Sequence, residues 1–194
     1  MKKTERLLLL LVTSLIIVGC GTVDESNEID PDRGFDMWEY MTSPLNYEVE
    51  YAFYENGART DYYIETNRLF DNGNTYERRS GTGRTTHYLN SNYILMKEPT
   101  RDVEISRYVK LGENHIFRAS DIDNCRVERF YPSYKTYTST FNNVLMIDCL
   151  SKSGGKQELY YGYSEGIVAI YQENNSLVTE YVKVNEKRIF EKKY

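Results

Sequence analysis

The stretch NYEVEYAFYENGARTDYYIET, Asn46 to Thr66, decides the fold. Tyr47, Val49, Tyr51 and Phe53 alternate with Glu48 and Glu50, the period of a strand with one buried face. Asn56-Gly57 then supplies the two φ>0 residues that a tight hairpin turn demands. Closing that turn opposes Phe53 to Thr60, Tyr51 to Tyr62, Val49 to Ile64 and Tyr47 to Thr66, so both strands present apolar side chains to one side. A second turn at Asn72-Gly73 opposes Leu69 to Tyr76 and Arg68 to Glu77, an apolar pair on one face and an ion pair on the other.

Working outward, the same rhythm continues to the end of the chain. Strand-like runs fall near residues 84–89, 92–97, 103–110, 125–131, 144–151, 156–163, 167–172 and 177–184, separated by Gly- and Asn-rich turns. Gly162 to Gly166 reads as one such tight hairpin, with a bulge or φ>0 turn. Nineteen tyrosines suit strands, because Tyr can bury its ring while its hydroxyl stays wet. Upstream, FDMWEYM offers one short helix, with Asp36 as N-cap, Glu39 completing a capping box, Phe35 stapled to Tyr40, and Trp38 packing it onto the sheet. The expected fold is all-β with one short N-terminal helix: an antiparallel hairpin meander forming a sandwich, half-barrel or barrel.

Charge narrows the partners. A net charge of −5 argues against nucleic acid and against adhesion to anionic head groups. No composition break divides residues 35–186, which read as one domain, and residues 187–194 read as a short basic tail. Asp24 to Gly34 is too polar to pack, so residues 20–34 read as an acidic tether. In an oxidising compartment, Cys125 and Cys149 are a candidate disulfide.

Candidate chemistry is sparse. Arg78, Arg79 and Arg84 flank Gly81-Thr82-Gly83, and three guanidiniums beside flexible backbone can hold an anionic head group. The segment lacks a phosphate-loop pattern, and an exposed hairpin end with charged flanks is the plainer reading. Tyr47, Tyr51 and Tyr62 are expected to line a curved sheet that accepts an apolar ligand. A hydrolase would have to be built on His87 or His115, and no serine is read as a nucleophile-elbow residue. Asp121-Ile122-Asp123-Asn124 lacks the rest of a calcium loop, so neither a metal nor a cofactor is expected.

The N-terminus locates the protein. MKKTER is basic, and Leu7 to Val18 is apolar but at 1.5 Å per residue spans only about 18 Å, too short to cross a bilayer. Residues 1–19 therefore read as an export signal. Ile17-Val18-Gly19-Cys20 resembles the lipobox of bacterial lipoproteins. That resemblance implies that processing and sorting machinery lipidates Cys20 and cuts before it, leaving a membrane anchor of two or more acyl chains. Removing residues 1–19 takes away three basic and one acidic residue and moves the net charge from −5 to −7. By the family's sorting rule, Gly21 after the cysteine implies an outer-membrane location facing the periplasm in a Gram-negative cell, and otherwise the outer face of the cell membrane. A short helix leading a long antiparallel meander is also similar in architecture to half-barrel lipid and lipoprotein carriers of bacterial envelopes. The expectation is a non-catalytic envelope lipoprotein that binds or carries an apolar, lipid-like ligand. The alternatives are an interaction or assembly module for an envelope protein and, third, a hydrolase.

Overall fold

From residue 46 onward the alternating pattern folds as extended chain. The computed structural model describes residues 29–42, 46–56, 58–70, 73–81, 83–174 and 177–188. In chain order they form β1 (Phe35–Asp36), α1 (Met37–Met41), β2 (Tyr47–Glu55), β3 (Ala58–Phe70), β4 (Thr75–Ser80), β5 (Gly83–Leu89), β6 (Tyr93–Lys97) and β7 (Asp102–Ser106). There follow β8 (Tyr108–Val109), β9 (Phe117–Arg118), β10 (Ile122–Lys135), β11 (Thr140–Ser151), β12 (Lys156–Gly162), β13 (Gly166–Asn174) and β14 (Leu177–Arg188). β1 pairs with β8, and the other twelve make one antiparallel sheet in the order β10-β11-β12-β13-β14-β2-β3-β4-β5-β6-β7-β9.

The fold is all-β with one short helix, as the alternation demands. The sheet curls until its ends approach. The Ile116 N–H donates to the Cys125 carbonyl (3.2 Å) and the Val127 N–H to that of Glu113 (3.1 Å). This is a sheet packed against itself rather than a closed barrel. Inward side chains of the two halves, among them Val49, Tyr51, Tyr76, Ile105, Leu145 and Ile147, form the main core.

Helix α1 closes one end of this core. Asp36 caps it by accepting from the Trp38 N–H (3.0 Å), and Met37, Trp38, Tyr40 and Met41 are all buried. Phe35 meets Tyr40 edge-on at 5.8 Å, the expected staple. The capping box does not form, because Glu39 turns to the Tyr163 hydroxyl instead. Cys125 and Cys149 face each other across β10 and β11 and are disulfide-bonded.

Three expectations need correction. The first hairpin begins in the expected register, Glu55 opposite Ala58 and Tyr54 opposite Arg59, but a β-bulge then opposes Phe53 to Asp61. Beyond it Tyr51 faces Tyr63, Val49 faces Glu65 and Tyr47 faces Asn67. Tyr62 and Ile64 turn outward, 58% and 46% exposed, while Glu65 and Asn67 are buried at 5% each. The second hairpin keeps its expected pairs, Leu69 with Tyr76 and Arg68 with Glu77.

The boundaries shift as well. The acidic tether does not extend to Gly34: Ile29 packs against the core, and Asp30 caps a 3-10 turn at Pro31–Arg33. At the other end, Lys187 and Arg188 belong to β14, opposite Glu48 and Tyr47, and not to a tail. The expected export segment, Cys20, residues 20–28 of the tether and residues 189–194 of the tail lie outside the described residues.

Candidate functional site

The bulge in β3 determines what the interior contains. Because Glu65 faces inward, it needs a cation, and Arg78 on β4 supplies one through two parallel hydrogen bonds, Nε to Oε1 (3.0 Å) and Nη2 to Oε2 (2.8 Å). Their side chains are 19% and 6% exposed. Burial works against the Arg78 charge, but the Glu65 carboxylate more than offsets it and raises the guanidinium pKa above its ordinary value.

Aromatic side chains surround this pair. Tyr51 is fully buried, donates to the Ile167 carbonyl (3.0 Å) and stacks on Tyr63 with ring centroids 5.0 Å apart. Its phenol is raised well above the usual value, first by burial and then by the Glu65 charge. His87 is sealed inside next to Tyr76 (ring centroids 5.8 Å apart), and burial together with the Arg78 charge pushes its pKa down to about 3.

A cavity of about 500 Å³ opens in the interior away from the helix-capped end. Met96, Val103, Phe117, Leu159, Ile167 and Ile170 give it apolar walls. Arg78, Thr85, Gln157, Tyr161 and Gln172 add polar points, and Glu98, Arg101, Asp121, Lys156 and Glu173 make a charged rim, so that polar groups make up at least half of the lining. Arg101 ties Glu98 to Asp121, joining the β6–β7 turn to the segment that enters β10. Such a volume lies within the ~300–1,000 Å³ of small-molecule sites.

The six residues expected to bind ligand are therefore not together. Arg78 lines the cavity, whereas Arg79 and Arg84 lie on the outer face, both paired with Glu77. Tyr51 and the half-buried Tyr47 belong to the core, and Tyr62 points away from it. Alternation along β4 separates Arg78 from its neighbour Arg79, so proximity in sequence became opposition in space.

Two features escaped the sequence reading. The first is the inward turn of Glu65, hidden by the bulge, which brings its carboxylate to Arg78. The second is that the β12–β13 hairpin spells Gly162-Tyr163-Ser164-Glu165-Gly166, the G-x-S-x-G spacing of a nucleophile elbow. Ser164 does adopt a positive φ of 58°. It sits between two strands and not before a helix, its N–H donates to the Glu39 carbonyl (2.7 Å), and no hydrogen bond joins it to a histidine among the described residues. His115 is on an exposed loop. Among the described residues no cluster of three or more His, Cys, Asp or Glu converges on a metal position.

A second concavity of about 430 Å³ lies on the outer face, where the β10–β11 hairpin bends over the sheet. Tyr134, Tyr137, Tyr160 and Tyr171 line it, and Tyr134 stacks on Tyr160 at 4.6 Å. The hairpin tip is held by a Tyr137–Tyr54 ring contact and by the Thr138 hydroxyl, which donates to the Lys183 carbonyl (3.3 Å).

No protein-family model matches the chain, and no curated protein matches it. Among solved structures, a Bacteroides fragilis protein inferred to be exported, with a YmcC-like fold, superposes with a TM-score of 0.51. The two are 11% identical, and the superposition covers 80% of this chain and 100% of the neighbour. At that identity the likeness establishes a shared architecture.

Proposed function

We propose that the chain is an exported, lipid-anchored envelope protein, without catalytic activity, whose interior cavity binds an apolar or lipid-like ligand. The observation that carries this reading is the cavity itself: an apolar patch of Met96, Val103, Phe117, Leu159, Ile167 and Ile170 within a polar surround, one end plugged by α1 and the other open. A sheet filled by its own side chains would leave no such space. Export is supported by the N-terminal signal pattern, by the disulfide and by the inferred export of the structural neighbour. Anchoring rests on Cys20 in its lipobox, and Gly21 favours the outer membrane, facing the periplasm, in a Gram-negative host. The absence of catalysis is supported by the state of the histidines, since His87 is sealed in and held neutral beside an arginine. The tyrosine-lined outer groove favours a second reading, an interaction module for another envelope protein.

Native mass spectrometry on the full chain, extracted from membranes in a detergent that is stripped in the gas phase, tests the proposal. The expected result is a chain beginning at Cys20 with added lipid mass, carrying a second, non-covalent lipid that denaturation releases. Met96→Trp, which fills the cavity, is expected to abolish that adduct. A bare chain, or an adduct that survives Met96→Trp, sinks the cavity reading and leaves the interaction module.

A further inference from the structure

Among the described residues Arg78 is the one cation within the walls of the cavity, as distinct from its rim, and its hydrogen bonds are unevenly used. A guanidinium has five N–H donors. Glu65 takes one from Nε and one from Nη2, and among the described residues no bond is made by Nη1. With 19% of its side chain exposed in the cavity wall, Arg78 keeps donor capacity that faces the cavity. A ligand that brings an acceptor to this nitrogen gains a hydrogen bond to a charged donor, stronger than one between neutral groups.

Charge then selects the acceptor. The Glu65 carboxylate already neutralises Arg78, and a second carboxylate at the same guanidinium would put two anions on one cation in a low-dielectric wall. The rim gives an anion no net attraction, because Glu98, Asp121 and Glu173 outnumber Arg101 and Lys156. We infer that Arg78 recognises an uncharged oxygen acceptor, such as an ester or amide carbonyl, so that the ligand is an acyl ester or amide and not a free fatty acid. This rests on the cavity being the ligand site, and it goes further by naming the group the site reads.

The test is displacement of a neutral fluorescent probe, N-phenyl-1-naphthylamine, from the full chain at pH 8 by methyl palmitate, palmitate and hexadecane. The expected order is methyl palmitate first, with palmitate and hexadecane each at least ten-fold weaker. Arg78→Lys keeps a cation for Glu65 but removes the remaining guanidinium nitrogen, and is expected to bring methyl palmitate down to the level of hexadecane. Should Arg78→Lys fail to fold, the Glu65→Leu/Arg78→Met double variant, which carries neither a charge nor a donor there, is expected to give the same levelling. Palmitate binding as tightly as its ester, or ester and alkane binding alike to the unaltered chain, overturns the inference but leaves the cavity as a lipid site. If neither the probe nor any of the three competitors binds, the cavity reading itself fails, and the inference falls with it.

Discussion

The two faces of strands β3 to β5 carry the same chemistry in opposite settings. Inside, Glu65 meets one arginine, Arg78, in a two-pronged bond at the cavity wall, where the Arg78 side chain is 19% exposed. Outside, Glu77 is covered by two arginines, Arg79 and Arg84, whose side chains are 58% and 59% exposed. Both carboxylates are nearly inaccessible, at 6% and 4%, so burial of the acid does not distinguish them. The difference is whether the cation still has water to return to. An arginine in solvent loses little when its partner goes, whereas one inside a protein is stranded.

The largest expected effect breaks the inner pair. Glu65→Ala leaves Arg78 charged and unpaired and should cost about 3–5 kcal/mol. Glu77→Ala, which frees Arg79 and Arg84 into water, should cost about 1 kcal/mol. Urea denaturation of both variants measures the gap, and equal losses would remove the distinction between the faces. Acid probes the same interior through His87. The His87 pKa is near 3 when folded against 6.5 when free, so the unfolded chain binds the extra proton. Its contribution to stability is complete above pH 6.5 and declines as the pH falls toward 3. Between pH 7 and pH 4 the loss from this residue is about 3 kcal/mol. His87→Leu should remove that part of the pH slope, and a slope unchanged in the variant would mean that His87 does not resist protonation.

Much of the architecture was legible because alternation and turn residues are local signals. Asn56, Gly73, Gly154 and Gly166 mark hairpins whose strands then pair as neighbours, and the Leu69–Tyr76 register follows from the Asn72-Gly73 turn alone. The site was less legible, and β3 explains why. Its first turn assigned Tyr62 and Ile64 to the core, while its second assigned Leu69 there, and an even and an odd position cannot share a face of an unbroken strand. That conflict already required a bulge between the two turns. Only tertiary packing decides where it falls, and therefore that Glu65 goes in while Ile64 stays out. The arginine cluster misled for the same reason, because one strand carries adjacent arginines to opposite faces. The lining from β6, β7, β9 and β13 is not legible at all, since apolar positions beside a cavity look like those of a filled core.

On the outer face, Arg84→Ala is expected to cost least. Arg84→Ala removes one of two cations over Glu77, and Arg79 remains on the same carboxylate. An exposed ion pair with a redundant partner should be worth less than about 1 kcal/mol, and a Debye length near 8 Å at physiological salt should screen much of that. The loss measured in urea is therefore expected to shrink when the salt is raised to about 1 M, where the Debye length is near 3 Å. The Glu65→Ala loss should shrink less under the same salt, because Arg78 is only 19% exposed and a partly buried charge is screened less than one in solvent. If salt rescued both variants alike, Arg78 would be as well solvated as Arg79 and Arg84, and the distinction between the two faces would fall.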